Sequence, residues 1–231
     1  MAGSPRHGTD DRTRTLLLVA GLVAVVAVLA VVAVLLVGGG DDDDDAGGNE
    51  DPYRPVSVDG DPLPEFSSEV RSGDVADPAV GQSVPVVSGV DYAGTATVID
   101  PAIDGPTMVV LLAHWCPHCN AEIPVLNEWR DSGEIPDGLN IVGVSTGAAA
   151  DAPNFPPGEW LDEMDWQWPV LADDRPPDDG SPPPAMGAYG GTSYPTLVFV
   201  DADGQVVERL SGEVPIDVIA PIADELVAGS G

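Results

Sequence analysis

The sequence contains no lysine, little aromatic surface and only two cysteines. Its eight basic residues are all arginine and are set against 39 acidic residues, so the formal net charge is −31. A chain this acidic repels phosphate backbones, which excludes sequence-independent binding to nucleic acids. Two cysteines in one cluster are too few for a disulfide framework or a four-cysteine zinc site. Aromatics make up 5% of the 231 residues, whereas glycine (27) and proline (24) are plentiful, so part of the chain is expected to be linker.

One long apolar run lies near the N-terminus, at residues 16–37, and it contains no charged side chain. As a helix it would extend roughly 33 Å, at about 1.5 Å per residue, and the hydrocarbon core of a bilayer is about 30 Å thick. A cleaved signal peptide is the alternative, but its apolar region is usually shorter, roughly 7–15 residues. The run therefore predicts a transmembrane helix at 16–37 that anchors the chain in the lipid bilayer.

The charges that flank this run predict its orientation. Three arginines lie within residues 1–15, and five consecutive aspartates at 41–45 follow the run. Because a basic flank stays on the cytoplasmic side, residues 1–15 are predicted to be a cytoplasmic tail. We expect a single-pass protein of the cytoplasmic membrane, with its N-terminus inside and its C-terminal bulk on the extracytoplasmic face.

Residues 38–76 are rich in glycine, aspartate, proline and serine and show no hydrophobic periodicity. This composition predicts a disordered, solvated linker. The aspartate run within it is interpreted as a spacer rather than a calcium site, because adjacent carboxylates on a flexible chain do not form a preformed cage. The folded domain is accordingly predicted at residues 77–231.

From residue 77 onward, strand-like and helix-like patterns alternate. The predicted strands are a hairpin at 84–99 that turns at 91–94, and the runs 107–113, 139–145, 168–172, 196–200 and 205–210. The predicted helices are 116–129, 157–164, 185–189 and 216–227. This order of elements indicates an α/β fold, with a central mixed β-sheet flanked by helices.

The motif that carries chemistry is His114-Trp115-Cys116-Pro117-His118-Cys119, at the junction of a buried strand and a helix. Two cysteines three positions apart at a helix start can form a disulfide. Cys116 would lie at the helix N-terminus, where free N–H groups and the helix dipole favour the reactive thiolate. His118 can add a positive charge or a donor. A structural disulfide is the alternative, but closing one turn on itself would contribute only about 2 kcal/mol.

The segment W-C-P-H-C-N-A-E-I-P resembles thioredoxin-fold thiol–disulfide oxidoreductases, in particular the membrane-anchored TlpA/ResA-like family. Further segments match that family in order: 141–145 (IVGVS), 188–190 (AYG), 194–196 (YPT), 199–201 (FVD) with Gly204, and Gly212. The resemblance covers about residues 80–228. It implies a thioredoxin-like fold, redox exchange with protein thiols and disulfides, and no requirement for a metal or organic cofactor.

The resemblance also implies roles for individual residues. Cys116 matches the attacking cysteine and Cys119 the resolving one, so that together they form the redox-active disulfide. Pro195 matches the proline that follows a cis peptide bond and faces that disulfide. Glu122 matches the acidic residue that tunes thiol acidity in the ResA-like branch; a solvated acid in the first helical turn is the alternative for this position.

The surroundings of the cysteine pair are less specific. Trp115, Tyr194 and Pro195 are predicted to contact substrate, although Trp115 and His114 could also simply pack at the strand end. The dipeptide Pro117-His118 is similar to that of DsbA-type oxidases, whereas reducing TlpA/ResA-like proteins often carry other residues there. The direction of electron flow is therefore left open.

The predicted function is that of a membrane-anchored, extracytoplasmic thiol–disulfide oxidoreductase. Its expected partners are protein substrates and a membrane redox protein that holds its own cysteine pair. Two alternatives are kept. A metallochaperone could hold Cu(I) or zinc with the two thiolates and the neighbouring histidines His114 and His118. A redoxin-like peroxidase could use Cys116 against peroxide.

Overall fold

The computed structural model describes residues 51–229 of the chain. The predicted tail at 1–15, the predicted transmembrane helix at 16–37 and the first part of the predicted linker, 38–50, lie outside the described residues. Between residues 51 and 229 no helix is both long and apolar enough to cross a membrane.

A five-stranded mixed sheet forms the centre of the domain, in the order β6-β5-β4-β7-β8. Its strands are β4 (Thr107–Leu112), β5 (Asn140–Ser145), β6 (Val170–Ala172), β7 (Thr196–Val200) and β8 (Val206–Ser211). The central strand β4 pairs in parallel with β5 and antiparallel with β7. This arrangement confirms the predicted mixed sheet, and each strand lies within two residues of its predicted position.

A smaller antiparallel sheet has the order β1-β2-β3. It consists of β1 (Ser57–Asp59), β2 (Val86–Val90) and β3 (Ala96–Ile99). The strands β2 and β3 are the predicted hairpin, and the Asp91 carboxylate stabilises its turn by accepting the backbone N–H groups of Ala93 and Thr95. Strand β1 was not predicted.

Six helices surround the sheets within the described range: α1 (Ser68–Arg71), α2 (Pro101–Asp104), α3 (Pro117–Ser132), α4 (Pro157–Glu163), α5 (Pro184–Ala188) and α6 (Ile216–Ala228). Helix α3 begins at Pro117, which needs no N–H partner, and ends at Gly133 in the left-handed region (φ 73°). Its buried side includes Ile123, Leu126 and Trp129, as their spacing predicts.

Strand β4 supplies both layers of the core because its side chains alternate between the two faces of the sheet. Met108, Val110 and Leu112 pack with the buried faces of α3 and α6. Val109 and Leu111 point the other way and pack with the hairpin and with α5. All six residues of β4 are buried. The cysteine motif follows this strand directly in the sequence, so the core fixes the position at which the motif begins.

The predicted linker is wrong over residues 51–76, which belong to the folded domain. Strand β1 pairs with β2 in this segment, and the side chains of Leu63 and Phe66 are buried. The backbone N–H groups of both residues donate to the carbonyls of Ala188 and Gly190, at 2.9 and 2.8 Å. Two isolated apolar side chains and these backbone bonds hold an otherwise polar, proline-rich segment against the domain.

A buried ion pair completes this attachment. The guanidinium of Arg209, on β8, donates to both carboxylate oxygens of Asp77, at 2.5 and 2.7 Å, and its side chain is fully buried. It also donates to the carbonyl of Pro64 at 2.9 Å and stacks over the ring of Phe66. The charge of Arg209 therefore requires the segment before residue 77, since a buried guanidinium needs both its counter-ion and its acceptors.

Candidate redox site

Cys116 lies in the turn between β4 and α3, at the N-cap position of the helix. Its side chain is 5% exposed, whereas that of Cys119, one helical turn further on, is fully buried. Both cysteines are free thiols in this structure. Because Cys116 is next to the unpaired N–H groups of the helix start, its sulfur occupies the position that best stabilises a thiolate.

The loop between α5 and β7, which contains Pro195, faces Cys116, as the sequence predicts. The Tyr194–Pro195 peptide bond is cis. The carbonyl oxygen of Tyr194 lies 3.5 Å from the Cys116 sulfur, which donates to it. A second cis bond, Phe155–Pro156, was not predicted. Strand β7 begins directly after Pro195, so the central sheet places this loop and the start of α3 side by side.

Cys119 has a different environment from Cys116. The backbone N–H of Ala113 donates to its sulfur at 3.5 Å. Burial raises the pKa of the Cys119 thiol above its ordinary value, and the neighbouring sulfur of Cys116 acts in the same direction. The second cysteine therefore stays protonated until a reaction at Cys116 requires it.

His118 is exposed, and its partner was not predicted. Its Nδ1 lies 2.8 Å from Oε1 of Glu213, in the loop before α6. Glu213 is 95 residues away in the sequence, and no local pattern connects the two positions. A carboxylate this close to the imidazole balances its charge when the ring is protonated.

Glu122 is buried rather than solvated, which excludes the alternative of a first-turn surface acid. Its side chain is 0% exposed, and Oε2 accepts the backbone N–H of Val214 at 2.8 Å. Within the described residues Oε1 has no hydrogen-bond partner. Burial raises the pKa of Glu122 to about 7, and the hydrogen bond from Val214 opposes that shift only in part. Its charge also raises the pKa of Cys119, so the two groups interact.

Trp115 and Tyr194 form one aromatic surface beside Cys116. Their rings meet edge to face, with centroids 5.5 Å apart at 84°. The indole Nε1 of Trp115 donates to the carbonyl of Gly147 at 2.7 Å, while about one third of the tryptophan side chain is exposed. The structure thus brings together all seven residues that the sequence predicts for the site: Trp115, Cys116, His118, Cys119, Glu122, Tyr194 and Pro195.

His114 is buried beneath the site, and both of its ring nitrogens have backbone partners. Nδ1 lies 2.7 Å from the carbonyl of Pro153, and Nε2 accepts the N–H of Ala149 at 3.1 Å. A metal bound by His114 would have to replace one of these bonds. Over residues 51–229 no three histidine, cysteine or carboxylate side chains converge as metal ligands would.

A family model described as the AhpC/TSA family matches residues 80–209, and the chain belongs to that family. It is 27% identical over 136 residues to the thiol:disulfide interchange protein DsbE of Pseudomonas fluorescens biotype C; the alignment covers 58% of this chain and 68% of that protein.

Two solved structures are also similar. A DsbF homologue from Corynebacterium diphtheriae has a TM-score of 0.51 at 17% identity, with 65% of this chain and 90% of that chain covered. A secreted Mycobacterium tuberculosis disulfide oxidoreductase homologous to E. coli DsbE has a TM-score of 0.48 at 20% identity, with 60% and 95% covered. The first likeness establishes that the fold is thioredoxin-like. The fold, the adjacent cysteine pair and the family together define a thiol–disulfide oxidoreductase.

Proposed function

We propose that this protein is a membrane-anchored, extracytoplasmic thiol–disulfide oxidoreductase that exchanges disulfides with protein substrates through Cys116 and Cys119. The observation that carries the proposal is the unequal environment of the two sulfurs. Cys116 lies at a helix N-terminus and keeps 5% of its surface exposed, whereas Cys119 is fully buried and burial raises the pKa of its thiol. One sulfur is therefore suited to attack, and the other to resolve the intermediate.

In the reducing direction, the Cys116 thiolate attacks one sulfur of a substrate disulfide. A Cys116–substrate bond forms, and the substrate's other sulfur leaves as a thiolate. Cys119 then loses its proton and attacks the Cys116 sulfur, which releases the second substrate thiolate and leaves a Cys116–Cys119 disulfide. Two electrons pass from the protein to the substrate. The oxidising direction is the reverse, and it begins with attack by a substrate thiolate on the Cys116 sulfur.

Glu122 and His118 are proposed to tune this exchange from opposite sides. Glu122 is buried and interacts with Cys119, so its negative charge disfavours a thiolate there. His118 is exposed at the helix start and, when protonated, favours a thiolate on Cys116. Glu213 limits the second effect because it lies against the imidazole.

Substrates are proposed to bind across Trp115, Tyr194 and Pro195. The Trp115 ring is held in place by its bond to Gly147, which lowers the entropy lost when a substrate packs on it. Since the same surface adjoins the Cys116 sulfur, a peptide that packs there brings its own sulfur within reach.

The membrane part of the proposal comes from the apolar run at 16–37 and its charged flanks. A disulfide exchanger outside the cytoplasm needs a source or sink of electrons. We therefore include a membrane redox partner with its own cysteine pair, which would cycle Cys116 and Cys119 between their oxidised and reduced states.

The activity is tested with the full-length chain and insulin as the disulfide probe. The wild-type protein should accelerate insulin reduction by dithiothreitol, and Cys116→Ser should abolish that acceleration. Turnover of hydrogen peroxide at a rate above that of insulin reduction would instead favour the peroxidase alternative. Stoichiometric copper or zinc in protein purified under reducing conditions would favour the metallochaperone.

The membrane orientation of the chain and the direction of electron flow are tested in intact cells. Protease added to wall-stripped cells should release a fragment that begins within residues 38–50, because residues 51–76 are packed on the domain. Protection of the whole chain until lysis would reverse the proposed orientation. Thiol alkylation in the same cells reports direction: a mostly oxidised cysteine pair indicates an oxidase, and a mostly reduced pair indicates a reductase.

A further inference from the structure

The connection between β5 and α4 passes directly beside the redox site. We refer to residues 146–154 as the 146–154 loop; they contain no helix or strand. The carbonyl of Gly147 in this loop accepts the indole N–H of Trp115. The conformation of the loop therefore determines where the Trp115 ring lies.

His114 holds the 146–154 loop at two points. The N–H of Ala149 can only donate, so Nε2 of His114 is the unprotonated acceptor in the 3.1 Å bond. The carbonyl of Pro153 can only accept, so Nδ1 carries the ring proton in the 2.7 Å bond. These two bonds require a neutral imidazole with its proton on Nδ1. Asn154 adds a third connection, since its side-chain amide donates to the His114 carbonyl at 2.8 Å.

The backbone of the 146–154 loop is tightly packed where it meets the aromatic surface. Gly147 has a left-handed backbone (φ 62°), and a Cβ on it would lie 2.7 Å from the Tyr194 hydroxyl. The loop backbone is thus in close contact with the same tyrosine whose ring packs against Trp115. Contacts run without a gap from His114 through the loop to the aromatic surface.

We propose that His114 is a positioning residue, which in its neutral form fastens the 146–154 loop and thereby holds Trp115 in place for protein substrates. This inference rests on the proposed function, because it assumes that substrates dock on Trp115. His114 itself touches neither the substrate nor the reacting sulfurs. It acts through Ala149, Pro153 and then Gly147.

Acid should release this fastening. Burial lowers the pKa of His114, and the backbone bonds to the ring oppose that shift only in part. Once protonated, Nε2 becomes a donor and faces the N–H of Ala149, so that bond is lost. When the loop is released, water reaches the His114 ring again and the pKa of the imidazole returns to its ordinary value of about 6.5. The released fraction should therefore rise by up to about tenfold for each pH unit below that value.

The titratable groups near the His114 ring do not change the expectation that acid releases the loop. Asp151 lies in the loop between the two residues that His114 bonds, while Cys116 follows at the N-cap of α3 and Cys119 lies in its first turn. None of the three forms a hydrogen bond or ion pair with the imidazole among the described residues. From the segment that leads to α4, the ring of Phe155 packs edge to face against it at 5.9 Å and carries no charge.

The experiment compares two disulfide probes on the full-length chain. Insulin reports docking on the aromatic surface, and glutathione disulfide reports the chemistry of Cys116 alone. In His114→Ala the KM for insulin should rise about fivefold or more, as expected for lost hydrogen bonds, while glutathione turnover stays within about twofold. The control Asn140→Ala removes side-chain bonds to backbone at the opposite end of β5 and should change neither rate.

The pH profile separates positioning from simple loss of stability. The ratio of insulin to glutathione kcat/KM cancels the ionisation of Cys116. In the wild type this ratio should decrease as pH falls from about 6.5 toward the lower pKa that burial gives His114. In Tyr53→Phe, which loses a 2.6 Å bond to Ala148 in the same loop, the ratio should be lower at neutral pH and should still fall in acid, because His114 still titrates. His114→Gln, which can donate and accept but cannot titrate, should show no acid limb.

An independent measurement avoids dependence on any variant. Nitrogen NMR of the wild-type chain at pH 7 should show His114 neutral, with its proton on Nδ1. A proton on Nε2, or an insulin KM in His114→Ala equal to that of the wild type, would overturn the inference. A wild-type chain that exchanges with neither probe would instead overturn the proposed function, so the two failures are distinguishable.

Discussion

Nδ1 of His118 lies 2.8 Å from Oε1 of Glu213, so the histidine between the two cysteines is paired with a carboxylate from the loop before α6. Both side chains are about 60% exposed (60% and 58%), and the pairing is consequently weak and sensitive to salt. Removing the imidazole leaves the carboxylate unbalanced near the start of α3, where it disfavours a thiolate on Cys116.

His118→Ala should therefore make the reduction potential more negative, by roughly 10–20 mV at low salt, and by less at high salt. Equilibration with glutathione redox buffers at pH 7 measures this change. The double variant His118→Ala/Glu213→Gln should recover most of the loss. If Glu213→Gln has no effect on the His118→Ala protein, the pairing does not influence the redox centre.

Glu122→Gln should change how stability depends on pH. Burial raises the pKa of Glu122 from about 4.5 to about 7, so between these values the folded protein binds more protons than the unfolded chain. The free energy of unfolding must then decrease as pH rises through this window, by about 3 kcal/mol in all. Urea unfolding of the reduced protein at pH 4.5 and 7.5 should show the decrease in the wild type and its absence in Glu122→Gln. An equal slope in both proteins would contradict a buried, partly protonated Glu122.

Gly147→Ala should disturb the aromatic surface. An added Cβ would lie 2.7 Å from the Tyr194 hydroxyl, and the backbone is left-handed as well. We expect a loss of about 1–2 kcal/mol in stability and a larger loss in exchange with insulin than with glutathione. Gly73→Ala is the matched control, because Gly73 is also left-handed (φ 79°) but has open space where its Cβ would lie. Equal effects on insulin exchange would mean that only backbone strain, and not contact with Tyr194, is involved.

Asp77→Ala should destabilise the domain by about 3 kcal/mol or more, because it leaves the buried guanidinium of Arg209 without its counter-ion. Chemical denaturation measures the change. Asp165→Ala breaks an ion pair with Arg130 in which the aspartate is 63% exposed, and it should cost less than about 1 kcal/mol. Similar losses in the two variants would show that residues near position 77 are not an integral part of the fold.

Apart from the short helix α2, the strands and helices beyond residue 77 were predictable because their signals are local. The run at Thr107–Leu112 is apolar throughout, and a strand buried on both faces requires this. The cysteine motif was equally clear, since helix position alone distinguishes Cys116 from Cys119.

Contacts between residues far apart in the sequence were not predictable. Arg209 and Asp77 are 132 positions apart, and nothing in either neighbourhood indicates a buried ion pair. For the same reason the polar composition around Leu63 and Phe66 indicated a linker, whereas the fold uses these two side chains as anchors. The fastening of the 146–154 loop by His114 likewise depends on backbone groups, which carry no sequence signature.

The central claim, that Cys116 attacks and Cys119 resolves, is tested most directly by trapping mixed disulfides. Full-length Cys119→Ser and Cys116→Ser are each expressed in cells, and their disulfide-linked complexes are compared after acid quenching and thiol alkylation. Cys119→Ser should accumulate complexes joined through Cys116, because no second thiol can resolve them, and Cys116→Ser should accumulate none. Complexes joined through Cys119 in the Cys116→Ser protein, with none in Cys119→Ser, would contradict the account.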